Sequence, residues 1–380
     1  MFRKTKALLC LNIIFMTLNQ VDEAMGENLT ITPSLTVSER YESNVFFRGE
    51  GREEEDFITT VSPLFDVLYD FKKNYIKGFY NFNSNFYSRN PELNFMGHTG
   101  KIEMRTEFSQ NLSISVSDTL SYTPDSLSAV GTGIQTSRTD IISNTTSASA
   151  GYIISNLTSL NLTISDRILE FDEPSLVDTR TDSASLSLDY SASPSRTVSA
   201  TYTYVKFLFN SADAETHSLR LGISEKLSPT LSFEVSGGAS YIPSGDNNYN
   251  WIIQSNLAKS FQKGTLSLGY TRNITNTSGL TEETSVSERA SAGLSYILSK
   301  SFNITINGGL SKNRSEPSGS VDITSYSAEI AGWWQSYSWM RVGAVYSRFE
   351  QRAEGTTMGE NLSRDQVFLS VILTPESLRI

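Results

Sequence analysis

The sequence predicts an all-β protein, a transmembrane, antiparallel, up-and-down β-barrel of about 18 strands. Three observations support this prediction. Segments in which apolar and polar residues alternate recur along most of the chain. The connections between these segments are short and long in turn. Beyond the N-terminal segment, no apolar run approaches the roughly 20 residues that a membrane-spanning helix needs.

The alternation is clearest at residues 183–204, which read SASLSLDYSASPSRTVSATYTY. Successive side chains of an extended chain point to opposite faces. Leu186 and Leu188 therefore share one face, and the serines between them share the other. The pattern restarts after Pro194. This stretch is predicted to be a β-hairpin with one apolar and one polar face.

The connections predict the strand count and the environment. Short turns are expected near residues 72–74, 109–111, 155–156, 194–195, 227–229, 261–263, 299–300 and 335–337. Long loops are expected at residues 41–55, 88–97, 124–138, 172–179, 210–214, 244–248, 273–283, 312–320 and 351–361. Outer-membrane barrels pair short periplasmic turns with longer outer loops, whereas soluble sandwiches mix loop lengths at both ends.

The apolar faces are therefore expected to contact outer-membrane lipid, and the Ser, Thr and Asn faces to line a wet lumen. A barrel of about 18 strands is too wide for side chains to fill. The predicted location is the outer membrane of a Gram-negative cell, which implies the barrel-assembly machinery as a partner. The oligomeric state is left open.

The first 26 residues are predicted to be a cleaved signal peptide, followed by one barrel domain over residues 27–380. A basic start, an apolar stretch at residues 7–18 and the small residues around Met25 fit this pattern. The single cysteine, Cys10, lies inside the apolar stretch. Disulfide frameworks and thiol chemistry are therefore excluded from the predicted mature chain.

Composition and histidine content argue against two further classes of function. The net charge is −10, which makes a nucleic-acid partner improbable. The two histidines, His98 and His217, form no catalytic arrangement, because His217 and Ser218 point to opposite faces of a strand. We expect no enzyme activity, no cofactor and no metal. The acidic run at residues 50–56 lacks the spacing of a calcium loop and is predicted to be a solvated loop.

Four alternating charges are the first candidate site in the lumen. Lys101, Glu103, Arg105 and Glu107 share one face of a predicted strand. That face should point inward, because a charge at the lipid midplane costs about 2–4 kcal/mol. The mixed charges can pair along the wall, or they can set a transverse field at a constriction.

A polar and aromatic strip is the second candidate. Asn81, Asn83 and Asn85 lie on one predicted face together with Tyr75 and Tyr87. Amide hydrogen bonds and aromatic rings suit carbohydrate. A wet wall needs polar residues in any case, so both interpretations are kept.

Residues 37–46, VSERYESNVF, and residues 56–63, DFITTVSP, carry a resemblance to a known family. They resemble the outer-membrane β-barrel porins associated with exopolysaccharide biosynthesis and export loci. The resemblance implies an outer-membrane pore and a role in exopolysaccharide export. It implies no catalytic residues.

The predicted function is a pore for passive passage of hydrophilic solutes or for export of exopolysaccharide. Two alternatives are kept. A surface adhesin or scaffold barrel would act through its long outer loops. An outer-membrane enzyme would use residues at the mouth of the lumen, such as His217.

Overall fold

A computed structural model describes residues 29–71, 73–243, 249–354 and 359–379. The predicted signal peptide, residues 1–26, and the predicted loop at 244–248 lie outside the described residues. Within the described ranges, no helix has the length and apolar character needed to cross a membrane. The chain is all-β, apart from a 3₁₀ turn at Pro91–Leu93 and one short helix, α1, at Ser126–Val130.

The described chain forms 18 strands of 11 to 16 residues and one strand of two residues. They are β1 Leu29–Glu42, β2 Asp56–Phe71, β3 Asn74–Tyr87, β4 Phe95–Glu107, β5 Leu112–Thr123, β6 Ile141–Ser155, β7 Thr158–Phe171, β8 Thr179–Ser193, β9 Arg196–Leu208, β10 Asp213–Ser228, β11 Leu231–Tyr241, β12 Tyr249–Phe261, β13 Gly264–Asn276, β14 Thr284–Ser299, β15 Phe302–Glu316, β16 Asp322–Tyr337, β17 Met340–Ala353, β18 Leu362–Leu373 and β19 Leu378–Arg379.

The strands form one closed barrel. Each of the first 18 strands pairs antiparallel with its neighbour in sequence, and β1 pairs with β18 to close the ring. Strand β19 continues that closing ladder along β1, where Arg379 lies opposite Thr30. Closure leaves no unpaired sheet edge, which is what a lipid environment requires. The predicted fold class, an up-and-down barrel of about 18 strands, is confirmed.

Short and long connections lie at opposite ends of the barrel, and we call the end with the long loops the outer end. The turn predicted near residues 335–337 lies directly after them, at 338–339, because β16 runs to Tyr337. The register shifts between Gln335 and Tyr337, and this bulge lets the strand continue through a sequence that looks turn-like.

Two strands also run further outward than predicted. Strand β13 continues to Asn276 and β15 to Glu316, so both enter stretches that were predicted to be loops. These outer extensions carry serine, threonine and asparagine, residue types that are poor evidence for a strand.

The two faces of the wall differ as the alternation predicts. On β8, Leu186 and Leu188 point outward and are 43% and 44% exposed. Ser185 points inward and bonds across to Thr203 of β9 at 3.1 Å. The outward face is apolar and the inward face is polar, which suits lipid outside and water inside.

Buried apolar residues lie at the outer end, where loops pack onto the inward face of the wall. Half of the buried apolar residues belong to three small clusters. They are Val45, Ile58 and Tyr87; Ala129, Ile141 and Leu169; and Ile134, Val321 and Ile323. Each cluster combines loop residues with residues of the strands, so the clusters fix loops to the barrel wall.

Candidate functional site

The connection between β5 and β6, residues 124–140, folds into the lumen, and we call it the crossing loop. It reaches β14 to β16, which lie on the far side of the 18-stranded ring from β5. Arg289 Nη1 donates to Gly131 O at 2.9 Å, and Ser325 Oγ donates to Gly133 O at 2.6 Å. The loop therefore spans the barrel and narrows the lumen at its outer end.

A single helical turn shapes the crossing loop. Asp125 caps α1 by accepting a hydrogen bond from Leu127 N at 3.0 Å. The helix ends at Gly131, whose φ is +72°, a left-handed conformation that glycine adopts without strain. The sequence thus provides both the N-terminal cap and the C-terminal end of α1 within a few residues. After Gly131 the chain turns back toward the wall.

A buried ion cluster fastens the crossing loop to the wall, and we call it the latch. Arg364 on β18 lies 3.0 Å from a carboxylate oxygen of Glu42 and 3.0 Å from one of Asp125. The side chains of Arg364 and Glu42 are only 6% and 1% exposed. The guanidinium also lies over the Phe47 ring at 4.5 Å. Removing one member of such a cluster would leave a buried charge unpaired, which is costly.

A pair of buried glutamines forms a second attachment. Gln135 N donates to Gln351 Oε1 at 2.8 Å, and Gln351 Nε2 donates back to Gln135 O at 3.0 Å. Gln135 Nε2 also donates to Ser126 Oγ at 2.9 Å. The buried amides are thereby satisfied, as buried polar groups generally are.

Arg138 attaches the returning arm of the crossing loop to the first outer loops. Its Nη1 donates to the Tyr87 hydroxyl at 2.8 Å and to Val45 O at 3.4 Å, and its Nη2 donates to Leu93 O at 3.4 Å. Three connections of the outer end are therefore held by one side chain.

The loop between β13 and β14, residues 277–283, also folds inward. Val177 N donates to Gly279 O at 2.8 Å, and the hydroxyls of Thr132 and Ser278 are hydrogen-bonded. Beneath it, the inward-facing Thr216 and Ile252 are buried. The crossing loop and residues 277–283 together form what we call the loop layer.

The four charged candidates of β4 lie below this layer. Side chains alternate along β4, so these four residues lie on the inward face and the exposed Met96 lies on the outward face. Lys101 Nζ lies 3.0 Å from Glu103 Oε2, and the Tyr75 hydroxyl donates to Glu103 Oε1 at 2.7 Å. Arg105 and Glu107 are exposed, nearer the inner end. Lys101 and Glu103 therefore pair along the wall, away from the loop layer.

The asparagine candidates form a ladder with β2. Asn85 Oδ1 accepts from Thr60 Oγ1 at 2.8 Å, and Asn81 Nδ2 donates to Ser62 Oγ at 2.9 Å. Asn83 accepts a short hydrogen bond from the same serine. Because Tyr87 is buried against the outer loops, it does not belong to an open strip with the three asparagines.

Both histidines lie on the outward face, so the expectation that His217 lines the mouth of the lumen is wrong. His217 lies two and four residues before the exposed Leu219 and Leu221, so its side chain shares their outward face. Its Nδ1 lies 2.8 Å from the Tyr202 hydroxyl. His98 Nδ1 lies 2.7 Å from the Tyr80 hydroxyl in the same way. The spacing from His217 to the two leucines is the sequence signal that identifies its face.

The acidic run at residues 50–56 is mostly exposed, as expected of a solvated loop, and it carries surface ion pairs. Glu55 pairs with Arg89 of the next outer loop, and Arg52 pairs with Glu360 at 2.8 Å. The pKa of Glu55 is lowered because Arg89 and the Tyr41 hydroxyl donate hydrogen bonds to its carboxylate. Asp56 starts β2 and is buried. Among the described residues, no group of His, Cys, Asp and Glu side chains is placed to hold a metal ion.

Sequence reasoning did not identify the crossing loop or its attachments. Its partners Gln351 and Arg364 are inward-facing residues near the outer ends of the last two long strands. A large polar side chain at a strand end, where most strands carry serine, threonine or asparagine, is the one signal that the sequence offered.

Comparison with known proteins agrees with this architecture. A family model described as "Putative beta-barrel porin 2" matches residues 24–155. The crystal structure of OccK2 (OpdF) from Pseudomonas aeruginosa is similar with a TM-score of 0.50 and 10% identity, covering 90% of this chain and 98% of that one. OccK3 (OpdO) from the same organism gives 0.48 and 11%, with coverage of 97% and 100%.

OccAB4 from Acinetobacter baumannii gives a TM-score of 0.47 and 9% identity, with coverage of 91% and 98%. No functionally curated protein matches the chain. At these identities the likeness to solved structures concerns the fold alone. The closed barrel, its two contrasting faces and the partial family match together identify the fold as a β-barrel of the outer-membrane porin type.

Proposed function

We propose that the protein is a passive outer-membrane pore for small hydrophilic solutes. The crossing loop carries the proposal, because a loop fixed across a polar lumen sets an upper size for what can pass. The outward apolar face supplies the contact with outer-membrane lipid. Fixed constrictions of this kind select by diameter and by the charged and hydrogen-bonding groups around them.

Export of an exopolysaccharide, which the family resemblance implies, is the alternative substrate class. The crossing loop favours small solutes over a polymer. A polysaccharide chain needs a continuous bore, whereas this loop is held to β17, β18 and β1 by a buried ion cluster and a glutamine pair. It is also held to β14 and β16 by Arg289 and Ser325.

We also propose that the barrel has no enzyme activity and does not act mainly as an adhesin. His98 and His217 face outward, away from any solute in the lumen. The first outer loop packs its buried residues Val45 and Phe47 against the barrel instead of projecting freely. Both features favour a channel.

The test is a recording from the refolded chain. The protein is refolded in detergent, heat-modifiable migration confirms folding, and single-channel conductance is measured in a planar bilayer. Swelling of liposomes with neutral sugars of increasing size then gives the cut-off. We expect steady openings and passage of monosaccharides but not of long oligosaccharides. A folded barrel that neither conducts nor admits sugars would overturn the proposal.

A further inference from the structure

The inner surface of the loop layer is basic, although the whole chain is acidic. The inward-facing residues Arg167, Arg220 and Arg289 are the fifth, eighth and sixth residues from the outer ends of their strands. These strands, β7, β10 and β14, lie within one arc of the wall that runs from β7 to β14. The three arginines therefore lie at comparable depths on separate parts of the wall.

Two of these arginines donate to backbone carbonyls of the crossing loop. Arg289 donates to Gly131 O at 2.9 Å, and Arg167 donates to Ala129 O at 2.7 Å. A backbone carbonyl orients the Arg289 guanidinium without neutralising its charge. Arg138, in the crossing loop, likewise bonds to a hydroxyl and to carbonyls.

Arg220 is the least compensated of the set. Its Nε is buried and has no hydrogen-bond partner, and no ion pair links it to any residue that the structure describes. The inward-facing acids of the same arc, Asp189 and Glu234, lie close to the inner ends of β8 and β11. Arg220 is half-buried, whereas the inward-facing Lys226 and Arg341 nearer the inner end are exposed, so the charge of Arg220 is less screened by solvent.

A cavity of about 420 Å³ lies beneath the crossing loop, against β13 to β18. Arg289 and Leu127 bound it on the outer side. Much of the remaining lining is hydroxyl and amide groups, from Ser267, Ser291, Asn307, Ser327, Ser347 and Gln366. Glu329, the one acid of this lining, accepts a hydrogen bond from Asn307 Nδ2 at 3.0 Å.

We propose that this cavity binds small hydroxylated anions, such as sugar acids, and that Arg289 in its lining and Arg220 elsewhere on the lumen wall make the pore anion-selective. Arg289 would pair with the carboxylate, because a guanidinium presents donors in the geometry that a carboxylate accepts. The serine and amide groups would bond the hydroxyls. A volume of this size accommodates a small ligand. This inference deepens the proposed pore function and rests on it.

The first experiment measures reversal potentials in a KCl gradient and the affinity of the folded barrel for gluconate by calorimetry, with glucose as the neutral comparison. We expect a preference for chloride over potassium and binding of gluconate but not of glucose. Arg220→Gln should lower the anion-to-cation permeability ratio about threefold, since it removes one uncompensated charge.

Arg289→Gln should weaken gluconate binding roughly tenfold or more, because it removes a charge-assisted hydrogen bond. Arg289→Lys retains the charge and should keep the anion preference while losing affinity. The matched control is Arg341→Gln, an inward arginine near the inner end of β17 that lies over Trp333 at 4.4 Å. It should change neither measurement.

The outcomes separate the two proposals. A conducting barrel without anion preference, or one whose preference and gluconate affinity survive both glutamine substitutions, would overturn the inference and leave the pore intact. A silent barrel that binds gluconate through Arg289 would overturn the pore and keep the site. A barrel that conducts but binds glucose as well as gluconate would exclude the anion site.

Discussion

The outer and inner halves of the lumen are built from the same strands and behave differently. In the outer half, inward-facing residues such as Gln351 and Arg364 are buried and bonded to the crossing loop. Nearer the middle and inner part of the wall, Lys101 and Glu103 pair with each other at a partly exposed site. One half is a packed core and the other is a wet surface.

This difference indicates where substitutions should matter. The stability of a buried charge cluster depends on every partner, because the charges have already been removed from water and each one needs its counter-charge. A partly exposed pair is screened by water, so its contribution to stability is small. The function of the pore is therefore expected to depend on the outer half, and three measurements can strengthen or break that comparison.

The largest effect is expected from removing the crossing loop. Replacing residues 127–135 by a short Gly-Ser linker deletes α1 and the glutamine attachment but leaves every barrel strand in place. Single-channel conductance should rise at least about twofold, because the constriction is lost. A linker of the same length that replaces residues 50–54 of the first outer loop is the control. Unchanged conductance in the first variant would show that the crossing loop does not limit flow.

The next largest effect is expected from Arg364→Met. This change leaves Glu42 and Asp125 buried without their cation, and the loss of stability should be about 3–5 kcal/mol in urea unfolding of the refolded barrel. The single-channel conductance should also fluctuate more, because the crossing loop is no longer held in one position. Adding Glu42→Gln and Asp125→Asn should recover most of the stability. If the triple variant is no more stable than Arg364→Met, the latch is not an ion cluster of this kind.

The smallest effects are expected on the inner wall. Glu103→Gln removes the partner of Lys101 at a site about a third exposed, so stability should change by about 0–1 kcal/mol. Arg105→Ala, further inward, should leave conductance and ion preference as they are. A shift of the reversal potential in either variant would give the inner wall a part in selectivity and weaken the contrast between the halves.

The strands could be predicted from the sequence, because their signal is local. The alternation around Leu186 and Leu188 holds in the structure, and the short and long connections fall at opposite ends. The small displacement of the turn predicted near residues 335–337 has a local cause as well. A bulge inserts one residue and continues the strand, and alternation alone does not reveal it.

The crossing loop could not be predicted, because its contacts are distant in sequence. Residues 124–138 appeared as one more long polar loop, and nothing in their pattern distinguishes a loop that enters the lumen from one that faces water. The face of His217 could have been predicted, since Leu219 and Leu221 share its parity. The enzyme alternative, which places His217 at the mouth of the lumen, conflicts with this face.

The attachments of the crossing loop also imply an order of folding. Asp125 and Arg364 are 239 residues apart in sequence, and Gln135 and Gln351 are 216 apart. Their partners lie on β17 and β18, the last long strands of the ring. The attachments can form only after those strands have joined the barrel. Bringing residues so distant in sequence together earlier would cost conformational entropy that no other contact offsets. We therefore expect the crossing loop to narrow the lumen only after the ring has closed.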